Sequence, residues 1–496
     1  MQSLQTALPF GLFWVILIMS VTFNQTVTMG FIFSILYFVT YYLTPSVLFG
    51  SLAEARIELI LAIILFLVSL PRLTRSFILK TPQSLALMGL ATATSVSVLS
   101  AAHWAGGAVQ AFLSFIPNAF AFFLVCLHCD SKKKLQVIIL MLLFVCLFVI
   151  AHGYFDLLHG VSQSSPDKAG SAESNSSVYW NMEHPYLLAM QNETGETIYR
   201  LKGQGLINDP NDFGQLLVCL IPLLFIFWRT KKILWNFGFV LLPVCVLLYG
   251  MFLTHSRGAL LALSAVAVMA ARRRIGTLPA LLIAGGVFAA AMALNYTGGR
   301  DISVNAGSDR TALWSSGLQM LKANPFFGVG IGSFADNCDG CGHTAHNSLV
   351  VCAAELGIVG LFFWAMFLFS TAWDALMTAS PARVQDVDPN ITVEELPSRG
   401  KAKTIAIDKA EINRFGRLLV LSFTGFLVAG WFLSRAYVMT FFLLGGMVEV
   451  VYEMALRRGM IAPRLRMARL LPYTGGFAVL LILLMYILLR TVNMMH

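Results

Sequence analysis

The sequence predicts an all-α polytopic membrane protein, on three independent grounds: its composition, the length of its apolar runs, and the placement of its basic residues. Hydrophobic residues make up 57% of the 496-residue chain and charged residues 12%, with a mean hydropathy of +0.75. Too few polar groups remain to cover a soluble globule of that size.

A helix crosses the hydrocarbon core, about 30 Å thick, with roughly 20 apolar residues. Runs near that length recur along the chain. In the N-terminal third they are Leu8–Phe23, Met29–Val47, Leu59–Leu70, Ser84–His103, Ala111–Leu127 and Leu135–Ala151. The central runs are Phe213–Trp228, Trp235–Leu253, Ala259–Ala271 and Leu278–Leu294, and the last are Leu349–Trp373, Leu418–Leu433, Val438–Tyr452 and Pro472–Leu489. Counting the first two as one span or two gives about 13 to 14 transmembrane helices. The N-terminus lacks a basic n-region and its first apolar run leads straight into others, so no cleavable secretory signal is expected.

Most of the 34 Lys and Arg residues fall in clusters: Arg72/Arg75/Lys80, Lys132–Lys134, Arg229/Lys231/Lys232, Arg272–Arg274, Arg383 to Arg417, and Arg457 to Arg469. These alternate with loops poor in basic residues, so the positive-inside rule assigns the clusters to the cytoplasm. The net charge of +9 then reports topology and attraction to anionic lipid headgroups. No aromatic–basic interleaving or zinc spacing supports nucleic-acid binding.

The expected organisation is N-terminal spans over 1–151, an outward loop over 152–212 and central spans over 213–294. A second outward loop over 295–346, a span over 347–373, a cytoplasmic linker over 374–415 and C-terminal spans over 416–496 complete it. The insertion from Met377 to Arg414 mixes Asp386, Asp388, Glu394 and Glu395 with prolines and basic residues, the composition of a flexible linker.

The outward loops carry the chemistry. Ala345-His346-Asn347-Ser348 puts an imidazole where a long polar loop enters a span, with Glu355-Leu356-Gly357 one to two turns further in. A histidine there can accept a proton at the bilayer surface, although a lone histidine at such a junction is more often a structural hydrogen-bonding group. His343 is the neighbouring candidate. In the first loop the Ser/Asn-rich stretch Ser162 to Ser177 reads as mobile. Arg200 and Lys202 then stand beside Gly203 and Gly205, and Asp209-Pro210-Asn211-Asp212 offers a helix cap followed by proline. Capping leaves Arg200 and Lys202 unexplained, and an arginine fork beside glycines suits phosphate oxygens. Arg257, in the tight turn Thr254-His255-Ser256-Arg257-Gly258, is either held by a carboxylate such as Asp209 or Asp212 or set to meet an anionic ligand. His255 reads as an interfacial residue, and Arg435, at another outward turn, is a candidate for phosphate or lipid headgroups. In the second loop an amphipathic segment from Asp309 to Leu321 precedes Gly328, Gly330 and Gly332. The strand–glycine–helix context of a nucleotide fingerprint is missing there, so these glycines read as a tight turn aiming the His346 segment at the membrane.

Five stretches together resemble the O-antigen ligase and O-antigen polymerase superfamily of bacterial membrane glycosyltransferases: Gly205 to Gly214 (GLINDPNDFG), Ser256-Arg257-Gly258, Arg310 with Trp314, Asn324 to Phe334 (NPFFGVGIGSF) and Ala345 to Gly360 (AHNSLVVCAAELGIVG). The resemblance covers roughly residues 200 to 370. It implies a GT-C-like membrane fold in a bacterial inner membrane and a glycan donor on undecaprenyl pyrophosphate. It further implies a periplasmic site with His346 as the catalytic base and Arg200, Arg257 and Arg310 on the pyrophosphate. Lys202, Asp209, Glu355 and Arg435 stand as supporting residues. The expected partners are the lipid-linked glycan, an acceptor glycolipid such as lipid A-core or a growing polysaccharide, and membrane lipids.

The chemistry fits those residue types. A neutral imidazole can take the acceptor hydroxyl's proton, guanidinium groups can stabilise the departing diphosphate, and attack opposite the leaving group inverts the anomeric centre. The reaction requires no metal or other cofactor, and no outward Asp-x-Asp pair is present to hold one. Cys126, Cys129, Cys146, Cys219, Cys245 and Cys352 fall in or beside spans as small apolar residues. Cys338 and Cys341 read as a local disulfide in an oxidising compartment. Ligase, polysaccharide polymerase and protein O-oligosaccharyltransferase all use this donor chemistry. A lipid-linked sugar transporter remains the alternative of another class, although the internal repeats it should show are not found, and a non-catalytic assembly protein would leave the outward Arg/His set without a role.

Overall fold

The computed structural model describes residues 29–45, 57–75, 77–159, 184–191, 197–294, 296–298, 305–338, 343–380 and 399–493. The first apolar run Leu8–Phe23, the Ser162–Ser177 stretch, Cys341 and the acidic part of the 374–415 insertion (Asp386, Asp388, Glu394 and Glu395) lie outside them. Each of the other apolar runs coincides with a helix, and the protein is an all-α polytopic membrane protein. In chain order the helices are α1 (Met29–Leu43), α2 (Ile57–Arg75), α3 (Pro82–Ala102), α4 (Ala105–His128), α5 (Lys132–His159), α6 (Pro210–Leu224) and α7 (Ile233–Thr254). Then follow α8 (Arg257–Ile275), α9 (Thr277–Ala293), α10 (Asn305–Ala323), α11 (Ser348–Ala379), α12 (Arg399–Gly430), α13 (Met439–Arg457) and α14 (Met467–Asn493). Among the described residues ten helices are long and apolar enough to cross a membrane, and α1 and α9 are shorter apolar helices. α8 carries Arg257 at one end and Arg272–Arg274 at the other.

Helix α11 is the centre of the bundle. It packs on α3, α12, α10, α13 and α14 and, with α6 and α13, is buried over most of its length, whereas α2, α7 and α14 turn most of theirs outward. The exposed residues of the outer helices include many large apolar side chains, among them Leu59, Phe66, Leu282 and Leu484, as a lipid-facing surface requires.

Local chemistry starts the helices where the sequence places the signals. Asp209 caps α6, accepting from the Asn211 amide at 2.7 Å, and Pro210 opens the first turn. Thr81 caps α3 ahead of Pro82, Ser256 caps α8, and Asn347 caps α11 by accepting from the Leu349 and Val350 amides at 3.0 and 3.1 Å. Each oxygen satisfies amides that have no partner within the helix.

Two features depart from the sequence reading. The outward loop over 152–212 contains an antiparallel hairpin, β1 (Leu187–Gln191) and β2 (Thr197–Leu201), with Leu188 opposite Arg200. The 374–415 insertion is helical at both ends, since α11 runs to Ala379 and α12 begins at Arg399. Ion pairs hold the start of α12 in place: Asp408 meets Lys132 and Arg458, and Glu411 meets Lys132. At the same end of the bundle Asp374 accepts from Gln83 at 2.6 Å and from Arg464 at 2.7 Å, and Arg464 also reaches Glu449. We call this the Arg-rich end and the opposite one the His346 end.

The stretch Asn324–Phe334 is more than a turn. Helix α11 breaks at Gly357, whose φ of 63° and ψ of −164° lie in a region essentially restricted to glycine. The loop bonds to the opened backbone: the Val329 and Gly330 amides donate to the Ala354 and Glu355 carbonyls at 3.0 Å, and the Ile358 amide donates to the Pro325 carbonyl at 2.8 Å. A Cβ on Gly357 would stand 2.4 Å from the Phe326 carbonyl oxygen, and one on Gly328 would stand 2.4 Å from the backbone of Glu355. The fit therefore needs both glycines. We expect Gly357→Ala to destabilise the protein by more than the ~1–3 kcal/mol of an unfavourable backbone conformation alone. Melting of the purified protein in detergent measures it, and a wild-type melting temperature would contradict the account.

Candidate functional site

Four stretches far apart in sequence meet at the His346 end. Strand β2 delivers Arg200, the first residue of α8 is Arg257, the first turns of α10 deliver Arg310, and the segment before α11 delivers His346. Their mutual influence is electrostatic. Arg257 acts on both Arg200 and Arg310, Arg310 acts on His346, and Asp209 acts on Arg200, Lys202 and His346.

Arg200 is buried, and its hydrogen bonds go to neutral acceptors. Nε donates to the Thr254 carbonyl at 2.9 Å, Nη2 donates to Asn211 Oδ1 at 3.1 Å, and Nη1 lies 3.9 Å from the Met190 sulfur. Among the described residues it has no ion pair. Burial lowers its proton affinity somewhat, with the nearby Arg257 adding a smaller push and Asp209 opposing, yet a guanidinium stays charged. Asn211 Oδ1 also accepts from Ser256 Oγ at 2.8 Å, so one amide oxygen joins β2, α6 and the cap of α8. Lys202, also buried, donates to Asn208 Oδ1 at 3.0 Å.

Arg310 is half-buried, with its guanidinium 5.9 Å from the centre of the Phe432 ring. Four residues on, Trp314 donates from Nε1 to the Ala345 carbonyl at 2.9 Å. That bond fixes the register of α10 beside the His346 segment, since residues four apart lie on one helix face.

His346 sits in the left-handed region at φ 48°, an uncommon conformation for a residue with a side chain. Ser434 holds it there: its Oγ accepts from the His346 amide at 2.8 Å and hydrogen-bonds Thr344 Oγ1 at 2.8 Å. Two residues further, Ser348 Oγ donates to the Leu433 carbonyl at 2.7 Å and accepts from the Arg435 amide at 3.1 Å. Burial, then the Arg310 charge, lower the imidazole's proton affinity below the ordinary value of 6.5, with His343 adding to the effect and Asp209 opposing it. The His343 ring centre lies 6.5 Å away. The imidazole is therefore neutral near pH 7.

The remaining sequence candidates take other roles. Arg435 is ion-paired with buried Asp212, Nε to Oδ1 at 2.7 Å. Glu355 is buried beneath the loop, its carboxyl facing the Gly332 and Phe334 amides. His255 Nδ1 bonds the Tyr296 carbonyl at 2.7 Å. Cys338 is disulfide-bonded, and Cys341 lies outside the described residues.

Sequence reasoning missed Asn211, Ser434 and Thr344 as positioning groups. Asn211 was visible as part of a cap but not as the partner of an arginine on another element. Ser434 adjoins Arg435 in a turn whose contact with His346 spans 88 residues. Truncating Asn211 to Ala should destabilise the protein by about 1.5–3 kcal/mol, because a buried guanidinium loses one of its two oxygen acceptors. Thermal melting reads this loss, and an unchanged melting temperature would show that Arg200 is held elsewhere.

No curated protein matches this chain. Residues 244–365 match the family model described as O-antigen ligase. That stretch runs from α7 through α8, α9, α10 and the docking loop Asn324–Phe334 into α11, and so includes Arg257, Arg310 and His346. The match supports placing the chain in the O-antigen ligase and polymerase superfamily of membrane enzymes.

Proposed function

We propose that this protein transfers a glycan from a polyprenyl pyrophosphate to an acceptor hydroxyl at the periplasmic face of a bacterial inner membrane, and that it is an O-antigen ligase with lipid A-core as acceptor. The observation carrying this reading is the electrostatic linkage of Arg200, Arg257, Arg310 and His346 at one end of the bundle. Positive-inside topology supports the orientation, since the Arg-rich end would face the cytoplasm.

In the proposed reaction the acceptor oxygen attacks the anomeric carbon as its proton passes to the His346 imidazole. The bond between the anomeric carbon and the phosphate oxygen breaks, and the electron pair leaves with the diphosphate. Arg257, Arg310 and Arg200 stabilise that growing charge in a poorly hydrated setting, where such interactions are strong. Attack from the face opposite the leaving group inverts the centre. Arg310 thereby has two effects: it attracts the diphosphate, and it keeps the imidazole free to accept a proton.

His346→Ala should reduce transfer by about 10²–10⁴-fold with insertion and yield unchanged, and Arg257→Ala should lower donor use on the order of 10²-fold. Full activity in the His346 variant would refute its role as base. The acid limb of kcat/KM reports the free enzyme's base. It should lie below 6.5, the ordinary imidazole value, so that activity persists as pH falls toward the lowered value and is lost beneath it. Removing the Arg310 charge (Arg310→Gln) raises the imidazole's proton affinity and should move the limb to higher pH, whereas Asp209→Asn should move it lower. A limb that stays put in both variants would argue against this electrostatic coupling.

The glycan profile of a deletion strain tests the acceptor. Polysaccharide missing from lipopolysaccharide but retained on its carrier identifies a ligase. Single repeat units would indicate a polymerase, and unglycosylated secreted protein would indicate a protein oligosaccharyltransferase. An unchanged profile with impaired carrier-lipid movement would indicate a transporter.

A further inference from the structure

Helix α10 has two working faces. Arg310, Leu313, Trp314 and Gly317 form the first, with Trp314 bonded to Ala345 and Gly317 against Val350 of α11. The other borders a cavity of about 320 Å³ between α10 and the docking loop. Its polar lining consists of Ser316, Gln319, Asn324 and Asn337, with Met320 and Val329 as an apolar floor. We propose that this groove binds a neutral sugar unit of the reacting glycan, an inference that rests on the proposed transfer reaction.

The chemistry of the lining selects the ligand. Hydroxyl and carboxamide groups both donate and accept, as a polyhydroxylated ring demands, and no charged side chain lines the cavity. An anionic headgroup would therefore find no counter-charge, and an acyl chain would strand the amides. Met320 and Val329 supply the apolar surface against which the C–H face of a sugar rests. Asn337 is fixed by its hydrogen bond to the Ser333 carbonyl at 2.8 Å and by the adjacent disulfide-bonded Cys338. From Arg310 to Gln319 is nine positions, about 13 Å along the helix axis. A diphosphate held at Arg310 would thus sit well short of the groove, which would take a sugar further along the chain.

The test uses the purified full-length protein in nanodiscs and two probes: oligosaccharide freed by mild acid from the host's polyprenyl-linked pool, and the core oligosaccharide of its lipopolysaccharide. Binding is read by saturation-transfer difference NMR. The Gln319→Ala/Asn324→Ala double variant should weaken one of them about tenfold, with Gln319→Ala alone weakening it less. Loss of the first assigns the groove to the donor and loss of the second assigns it to the acceptor; either supports the inference. Wild-type binding of both by the double variant would overturn it. His346→Ala separates the two readings, because it should bind as wild type does while transfer is lost. If His346→Ala retained transfer, the proposed reaction would fail, whereas sugar binding by the groove would still be judged on the double variant.

Discussion

Holding a buried guanidinium with neutral hydrogen-bond acceptors is the constraint around which the His346 end is organised. Arg200 lies inside the protein with neutral oxygens as its hydrogen-bond partners, and Arg310 is half-buried against an aromatic ring. Neither has an ion pair among the described residues. Asp212, the buried carboxylate nearby in sequence, is engaged by Arg435, and Asp209 is shared among Arg200, Lys202 and His346. Desolvating a guanidinium costs several kcal/mol unless it is compensated. Burial, then the Arg310 charge, lower the proton affinity of the imidazole at the same end.

The scaffold that maintains this arrangement is backbone chemistry as much as side-chain packing. Breaking α11 at Gly357 frees carbonyls and amides that the Asn324–Phe334 loop takes up. In a membrane protein such groups must find partners inside the protein. The loop in turn links α10, with Arg310 and Trp314, to the helix that His346 precedes. Ser434 and Ser348 then tie that helix's start to the turn between α12 and α13. Small shifts in any of these contacts would move the imidazole relative to the guanidinium groups, and positioned catalysis is sensitive to displacements of about 1 Å.

Helix positions were legible because lipid imposes long apolar runs, and the caps at Asp209, Ser256 and Asn347 were legible because capping is local. His346, Arg200, Arg257 and Arg310 stood out as polar groups at membrane boundaries, where their presence needs a reason. The hairpin around Arg200 was not legible, because its strands are five residues each inside a loop whose composition reads as irregular. The pairing of Asp212 with Arg435 was also hidden: it joins residues 223 positions apart, and local sequence left Asp209 and Asp212 equally eligible for Arg257. The docking role of Gly328 likewise depends on a close approach to α11 that no local pattern encodes.

The coupling of imidazole to guanidinium is tested most directly by NMR titration of His346, with its ring labelled, in the full-length protein and in Arg310→Gln. The account predicts a midpoint below 6.5 in the wild type and a higher one in the variant. An ordinary midpoint that the substitution leaves unmoved would contradict it.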